Sequence, residues 1–346
     1  MADEPEILNA LFAAASRAES LPEDQRLGRD AGGGWEAFLA LLAEETRAEG
    51  AALFLTQQDQ IEHGWQVGAA PAPPEEILRM RTSRVYSQVD LPGLWQRDSP
   101  IRATRCNVGA DRSVLLMLQR RGEDFRAIDG SQLSTLTPYL GPALSTWLRL
   151  GQERNRAQRD RDLLRDLGGG WLVFSTTGAV QEASEGAAEL LAGHAGWRIA
   201  SDGRITFREP AQGSALLQVL QGARPGQPPA VLRLADEPVT ELLVSAEETR
   251  AGRVLLGRLR QAPAAARLAP ERLAAHCGIS LSEARLVQLL CDGMSIADAA
   301  ARLGWTLETT RSTSKRIFAR MEVTGQTGVL RRVLGGAVWL GAERRN

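Results

Sequence analysis

The sequence predicts a multidomain α+β protein in which two regions of mixed helices and strands precede an all-helical C-terminal region. Its 346 residues exceed what one hydrophobic core usually organises. Short apolar segments bounded by turn residues recur from 51 to 119 and again from 171 to 260, whereas apolar residues beyond 279 follow helical spacing. We therefore expect helices packed on mostly antiparallel sheets in the first two regions.

Composition and charge are those of an ordinary soluble globular chain, with 43% hydrophobic residues, 24% charged residues and a net charge of −1. There is no apolar run long enough to span a membrane, and the acidic N-terminus has no signal-peptide pattern. Cys106, Cys277 and Cys291 are widely separated, which argues against a disulfide framework or a zinc site. We expect a cytoplasmic protein without a membrane partner.

The first part of the chain predicts a helical N-terminal segment, residues 1–30, followed by an α+β domain, residues 31–150. In order, the pattern predicts a helix at 35–47, strands at 51–56 and 60–67, a helix at 74–81, strands at 85–89, 101–108 and 112–119, and a long final helix. The turn Asp124-Phe125…Asp129 and the helix containing Pro138-Tyr139-Leu140 resemble the end of a GAF-type sensor domain.

Residues 151–166 alternate in charge and have few apolar positions, which favours a helical connector. From 167 to 260 the order is strand, tight turn at Thr177-Gly178, strand and helix, then a helix at 214–220 and a meander of strands. That order resembles a PAS domain and implies a second α+β sensor domain. The Ala- and Pro-rich residues 261–275 predict a linker.

The C-terminal region, residues 276–346, contains the pattern of two helices joined by a tight turn. Ser295 can cap a first helix, Gly304 can end it in the left-handed conformation, and Thr306 can cap a second helix. Small residues in the first helix suit the close crossing of two helices. The apolar spacing i, i+3, i+4, i+7 is carried by Ile296, Ala299, Ala300 and Leu303.

This region resembles the LuxR-type helix-turn-helix over about 55 residues. The motif residues are Ser280, Glu283, Gly293, Ser295, Ala300, Leu303 and Gly304, then T-x-R at 309–311, KRIF at 315–318, and Val323. The resemblance implies an all-α four-helix domain of a bacterial transcription regulator, whose third helix enters the major groove and whose fourth contributes to a dimer. Leu281, Thr310 and Thr313 depart from the family pattern, so no base preference is carried over.

The outward side of the second helix is rich in cations and hydroxyls, which contact phosphates and base edges. Residues 281–346 hold ten basic and six acidic side chains, although the whole chain is slightly acidic. Arg311, Lys315 and Arg316 are the principal candidates for phosphate or base contacts. The predicted DNA-binding residues are Thr306, Glu308, Thr309, Arg311, Ser312, Thr313, Lys315, Arg316 and Arg320.

A further helix is predicted from 327 to 340, with four aliphatic residues along one side. Such a side suits core packing, a dimer surface, or both. The residues assigned to dimerisation are Val329, Leu330, Val333 and Leu334.

Catalysis is not indicated by the sequence. His63, His194 and His276 are scattered and form no nucleophile–base set. His63 and His194 are conceivable haem ligands but are better interpreted as surface or loop residues, and no cofactor is indicated. Tryptophans that fit either a ligand pocket or a core include Trp35, Trp65, Trp95, Trp171 and Trp197.

These observations predict a sequence-specific transcriptional regulator that binds double-stranded DNA as a homodimer under the control of its N-terminal domains. One alternative is a protein-binding adaptor or co-activator that acts on RNA polymerase, or on another regulatory protein, with weak DNA contact. A second is a quorum sensor for an acyl-homoserine lactone. The second is less favoured because such proteins usually have a single sensor domain.

Overall fold

The computed structural model describes residues 4–17, 34–58, 60–69, 80–90, 100–193, 197–249 and 252–340. The chain divides into two compact units, Met1–Ala157 and Gln158–Asn346. Within the described residues, helices and antiparallel sheets form both units, which confirms the α+β prediction. Nearly all of the predicted helix at 74–81 and most of the predicted turn at 30–34 lie outside these residues.

The first unit is a five-stranded antiparallel sheet with helices. Its elements are α1 (Glu4–Ser16), α2 (Gly34–Thr46), β1 (Gly50–Gln57), β2 (Gln60–Gly68), β3 (Val85–Ser87), β4 (Ile101–Val108), β5 (Arg112–Gln119) and α3 (Ala127–Asp166), the last running beyond the unit's end. The strand order is β2-β1-β5-β4-β3. The predicted strands are confirmed, with β3 two residues shorter than expected.

β1 and β5 lie in the middle of this sheet and are buried on both faces. On one face, Leu53 and Leu116 belong to a core with Phe38 of α2 and Leu140 of α3. On the other face, Phe54 and its neighbours form a smaller apolar cluster with Met80 and Tyr86. Because successive side chains of a strand point to opposite faces, the near-continuous apolar run in β1 supplies both cores.

The predicted connector, residues 151–166, is the C-terminal part of the 40-residue helix α3. Its charged side chains are mostly exposed, and Leu163 is also largely exposed. Apolar residues are few in this stretch, so most of it is helical without burying a continuous face, although Leu164 and Arg165 near its end are partly buried.

The second unit begins with another antiparallel sheet. Its elements are β6 (Gly169–Phe174), β7 (Val180–Ala183), α4 (Glu185–Ala192), β8 (Trp197–Ile199), β9 (Ile205–Phe207), α5 (Pro210–Gly222), β10 (Ala230–Asp236), β11 (Val239–Thr249) and β12 (Gly252–Gln261). The order β10-β11-β12-β6-β7 forms the sheet, and β8 pairs with β9. The predicted turn lies between β6 and β7, where Gly178 has φ +83°.

Five helices follow: α6 (Pro270–Cys277), α7 (Leu281–Cys291), α8 (Ile296–Leu303), α9 (Leu307–Arg320) and α10 (Gly325–Leu334), then a 3-10 turn (Ala337–Trp339). They enclose an apolar core that includes Leu286, Leu290 and Ile317. The helix predicted at 327–340 corresponds to α10, which begins and ends earlier than predicted. Gly335 and Gly336 follow its last turn, where glycine ends helices readily.

The segment predicted as a linker, residues 261–275, contains a 3-10 turn (Ala265–Arg267) and most of α6. Ala265 and Leu268 are buried in the helical core. The backbone N–H groups of Ala265 and Ala266 donate to the carboxylate of Asp292, at 2.9 Å for Ala266. The segment is packed rather than extended because its small and aliphatic residues complete that core.

No helix among the described residues combines the length and apolar character that crossing a membrane requires.

Glycines at the start of β6 let α4 approach the sheet, which leads to a test. A Cβ on Gly170 would lie 2.4 Å from the backbone nitrogen of Ala187, which cannot move independently of α4. We expect Gly170→Ala to lower the free energy of unfolding by about 2–3 kcal/mol, as overpacking does. The measurement is the urea midpoint followed by far-ultraviolet circular dichroism.

The matched control is Gly222→Ala at the end of α5, where an added Cβ meets nothing within 4 Å. Alanine there should leave the midpoint unchanged or raise it slightly. Equal midpoints for the two variants would show that α4 does not pack closely on β6.

Candidate nucleic-acid interface

α8, the following turn and α9 have the local geometry that the sequence predicts. Ser295 caps α8 by accepting the backbone N–H of Asp298 at 3.2 Å. Gly304 ends the helix in the left-handed conformation with φ +68°. Thr306 then caps α9, accepting the N–H of Thr309 at 3.1 Å. These caps fix where both helices begin and where the chain turns between them.

The inward side of α9 is unusually rich in hydroxyl groups. Thr310, Thr313, Ser314 and Ile317 are buried. The Thr310 hydroxyl donates to the Thr306 carbonyl at 3.0 Å, and the Ser314 hydroxyl donates to the Thr310 carbonyl at 2.8 Å. Their polarity is satisfied within the helix, so a side composed largely of small polar residues can face the core.

Eight of the nine predicted DNA-binding residues lie on the exposed side: Thr306, Glu308, Thr309, Arg311, Ser312, Lys315, Arg316 and Arg320. Thr313 is the exception because it is only 4% exposed. Its hydroxyl lies 3.4 Å from an Arg316 guanidinium nitrogen that donates to it. The prediction placed Thr313 with Thr309 by their i, i+4 spacing, but the two lie on either side of the boundary between surface and core.

The cations of α9 fall into two groups. Arg320 donates to the carboxylate of Glu283 at 2.8 Å, and the Nε of Arg316 lies 3.8 Å from the same group. Arg311 and Lys315 make no ion pair within the part of the chain that the structure describes. They are one helical turn apart, so their charges are presented together.

Glu283, in the first turn of α7, joins that helix to α9. Its side chain is 4% exposed, and it accepts the backbone N–H of Ser280 at 2.8 Å as part of a capping box on α7. The same carboxylate accepts the guanidinium of Arg320. Its charge is thereby paired, and α9 is tied at its C-terminal end to the N-terminus of α7. The Ser-x-x-Glu spacing at 280–283 is a local signal from which the cap could have been predicted, whereas nothing local indicates the contact 37 residues away.

The residues assigned to dimerisation separate by burial. Val329 and Val333 are fully buried in the helical core, whereas Leu330 and Leu334 are partly buried. Trp339 closes the core behind them, since its indole N–H donates to the Val333 carbonyl at 2.8 Å. Core packing accounts for both valines, which leaves Leu330 and Leu334 as the candidates for contact with a second copy.

Three of the histidine and tryptophan candidates, His63, Trp35 and Trp65, lie in an aromatic cluster of the first unit. The His63 ring stacks on Trp65 at 6.0 Å and meets Trp147 edge-on at 5.4 Å. Trp35 and Trp147 are almost fully buried in the main core, and burial lowers the pKa of His63. The contacts are those of packed rings. Elsewhere His276 is exposed, Trp171 is half-buried and Trp197 is core, while Trp95 and His194 lie outside the described residues.

No group of three His, Cys, Asp or Glu side chains suited to a metal ion occurs among the residues that the structure describes.

Comparison with known proteins yields no matching family model and no matching curated protein. Among solved structures, a phage VqmA–DPO complex has 15% identity and a TM-score of 0.23, covering 54% of this chain and 91% of that one. An E. coli DhaR(N)–DhaL complex has 14% identity and a TM-score of 0.32, covering 73% and 86%. A Vibrio cholerae VqmA dimer, described among LuxR-type receptors, has 15% identity and a TM-score of 0.23, covering 53% and 89%. Similarities of this size carry no argument about fold or function.

The Glu283 contacts lead to a stability prediction. Glu283→Gln should lower the free energy of unfolding by about 1–2 kcal/mol, because it removes the carboxylate charge that the Arg320 hydrogen bond and the Arg316 ion pair depend on, and both arginines are more than half exposed. The measurement is chemical denaturation of the full chain. Glu322→Gln is the control, since Glu322 is exposed and makes no ion pair within the described residues. A change as small for Glu283 as for Glu322 would contradict the proposed tie between α7 and α9.

The thiols provide a second test. Burial raises the pKa of Cys106 to about 11 and that of Cys291 to about 12, so at pH 8 both remain protonated as well as shielded. Burial raises the pKa of Cys277 as well, but this side chain is only half-buried. We expect iodoacetamide at pH 8 to label Cys277 first in the native protein and all three cysteines in urea, as read by peptide mass spectrometry. Rapid native labelling of Cys106 or Cys291 would contradict the packing described here.

Proposed function

We propose that this chain is a sequence-specific DNA-binding transcriptional regulator that acts as a homodimer. The observation that carries the proposal is the exposed side of α9, where Arg311 and Lys315 have no ion pair among the described residues. Two unneutralised cations one turn apart, beside capping and surface hydroxyls, are the kinds of group that contact phosphates and base edges. The proposal assigns residues 276–346 to a LuxR-type helix-turn-helix domain with α9 as its recognition helix.

We assign different roles to different residues along α9. Thr306 and Thr309 lie at the N-terminal end, the part of a recognition helix that commonly contacts base edges, and Ser312 follows one turn later. Arg311 and Lys315 neutralise phosphates or bind guanine edges. Arg316 and Arg320 hold the helix through Glu283 while their remaining donors face outward. Thr313 is left out of the contact set because it is buried.

Upstream, the proposal assigns a GAF-like sensor domain to 31–150 and a PAS-like sensor domain to 167–260. Two observations support it: each region contains a five-stranded antiparallel sheet, and the described strands and helices follow one another along the chain in the predicted order. A signal or a protein partner acting on these domains would change how two copies pair. Such a change in pairing would move the two α9 helices either into successive major grooves of the DNA or out of them.

The decisive experiment is selection of bound DNA from a random pool by the purified full chain at two salt concentrations. We expect enrichment of a two-fold symmetric site with half-sites about 34 Å apart, one helical turn of DNA. Retention that is steeply salt-sensitive but enriches no sequence would overturn specific readout. It would favour the adaptor alternative, in which a protein partner supplies the specificity.

The contact residues are tested by Arg311→Ala with Lys315→Ala on the selected site. We expect at least a tenfold loss of affinity, and a decrease of roughly 1.8 in the slope of log affinity against log salt if both contact phosphates. The measurement is fluorescence anisotropy of labelled DNA across a salt series.

A charge-matched control is Arg156→Ala with Arg159→Ala on the exposed part of α3. This control removes two positive charges far along the chain from α9, so affinity should stay within about twofold of the unmodified protein. If both double variants bind alike, α9 does not contact DNA.

A further inference from the structure

An open depression lies along α10, separate from the exposed side of α9. Its volume is about 370 Å³, and its lining consists of Val323, Thr324, Thr327, Gly328, Arg331 and Arg332. From Thr324 onward these residues follow the i, i+3, i+4, i+7 spacing of one helix face. The depression therefore runs from the first turn of α10 to its last.

The depression is positively charged. Its lining contains two arginines and no acidic residue. Both arginines are exposed, and neither makes an ion pair within the described residues. Arg332 is anchored, since its guanidinium donates to the Met321 carbonyl at 2.8 Å. A guanidinium has five N–H donors, so most of its donors and all of those of Arg331 remain for a ligand.

Two hydroxyl groups add neutral donors to the same surface. Thr324 occupies the cap position of α10, but its side chain makes no capping hydrogen bond. Thr327, one turn later, is exposed, and its hydroxyl has no hydrogen-bond partner among the described residues. Both hydroxyls are free to donate to an oxyanion.

Gly328 keeps this surface concave. A Cβ at this position would lie 2.8 Å from the Cβ of Val323, closer than such atoms approach. Because Gly328 has no side chain, α10 can pack directly against Val323. Its backbone and the valine form an uncharged floor between the cations and the hydroxyls.

We propose that this depression binds a phosphate group. The planar guanidinium of an arginine can bind two oxygens of a tetrahedral phosphate through parallel hydrogen bonds, and neighbouring hydroxyls can add further donors. The group is carried either by the DNA backbone or by a free phosphorylated molecule. The site is independent of the proposed function, because free phosphate binds there whether or not the chain binds DNA.

The first arm of the test measures inorganic phosphate binding to the full chain by thermal shift, at ionic strength held constant with sodium chloride. Phosphate is expected to raise the melting temperature of the unmodified protein and of Arg156→Ala with Arg159→Ala. Arg331→Ala with Arg332→Ala should bind phosphate at least tenfold more weakly. No shift in the unmodified protein, or a shift retained in the arginine double variant, overturns the proposal.

Because Arg332 also bonds the end of α9, its loss can affect folding, so two further variants are included. Arg331→Ala removes a side chain without a protein partner among the described residues. Thr327→Val keeps both charges and removes one hydroxyl donor. Each should weaken phosphate binding without lowering the melting temperature in chloride alone. Unchanged phosphate affinity in both variants would overturn the site.

The second arm identifies the source of the phosphate. If DNA supplies it, Arg331→Ala should weaken DNA binding and lower its salt slope by roughly 0.9. If a free phosphorylated molecule supplies it, DNA binding should be unchanged while phosphate protection is lost. Failure of the unmodified protein to bind any DNA would count against the proposed function alone, since the first arm is then unaffected.

Discussion

The carboxylate of Glu283 determines how the outer side of α9 is presented. It is buried, and it accepts hydrogen bonds both from the first backbone amide of its own capping box and from Arg320, near the end of α9. A buried charge without such partners would be strongly unfavourable, so the carboxylate stays where both are within reach. The rotation of α9 that places Arg311 and Lys315 outward is consistent with that contact and with the hydroxyl-rich inner side of the helix.

Local features were predicted most successfully because their causes lie within a few residues. Ser295, Gly304 and Thr306 occupy the cap and turn positions expected of them, since capping depends on a side chain and a backbone amide three residues away. Strand positions in the first sheet, and the order of elements along the chain in the second region, were also predicted, because burial of a strand imposes an apolar pattern on the sequence. The coarse α+β class follows from these elements.

Features that depend on tertiary contacts were not predictable to the same extent. Thr313 was assigned to the surface because it lies four residues after Thr309, yet its position on α9 faces the core. From the sequence, Val329 and Val333 fit a dimer surface or a core equally well, and only the structure shows that both are buried in the helical core. The Glu283–Arg320 contact links residues 37 positions apart and has no local pattern.

The packing of Ala265 and Leu268 changes where the helical region begins. Its predicted start at residue 276 would omit these side chains and Leu273, all of which are buried in that core. A fragment beginning there would also leave the Asp292 carboxylate without the two backbone amides that it accepts. An autonomous C-terminal fragment therefore has to include the 3-10 turn at Ala265, and proteolytic cleavage within this turn would expose the core rather than release a folded domain.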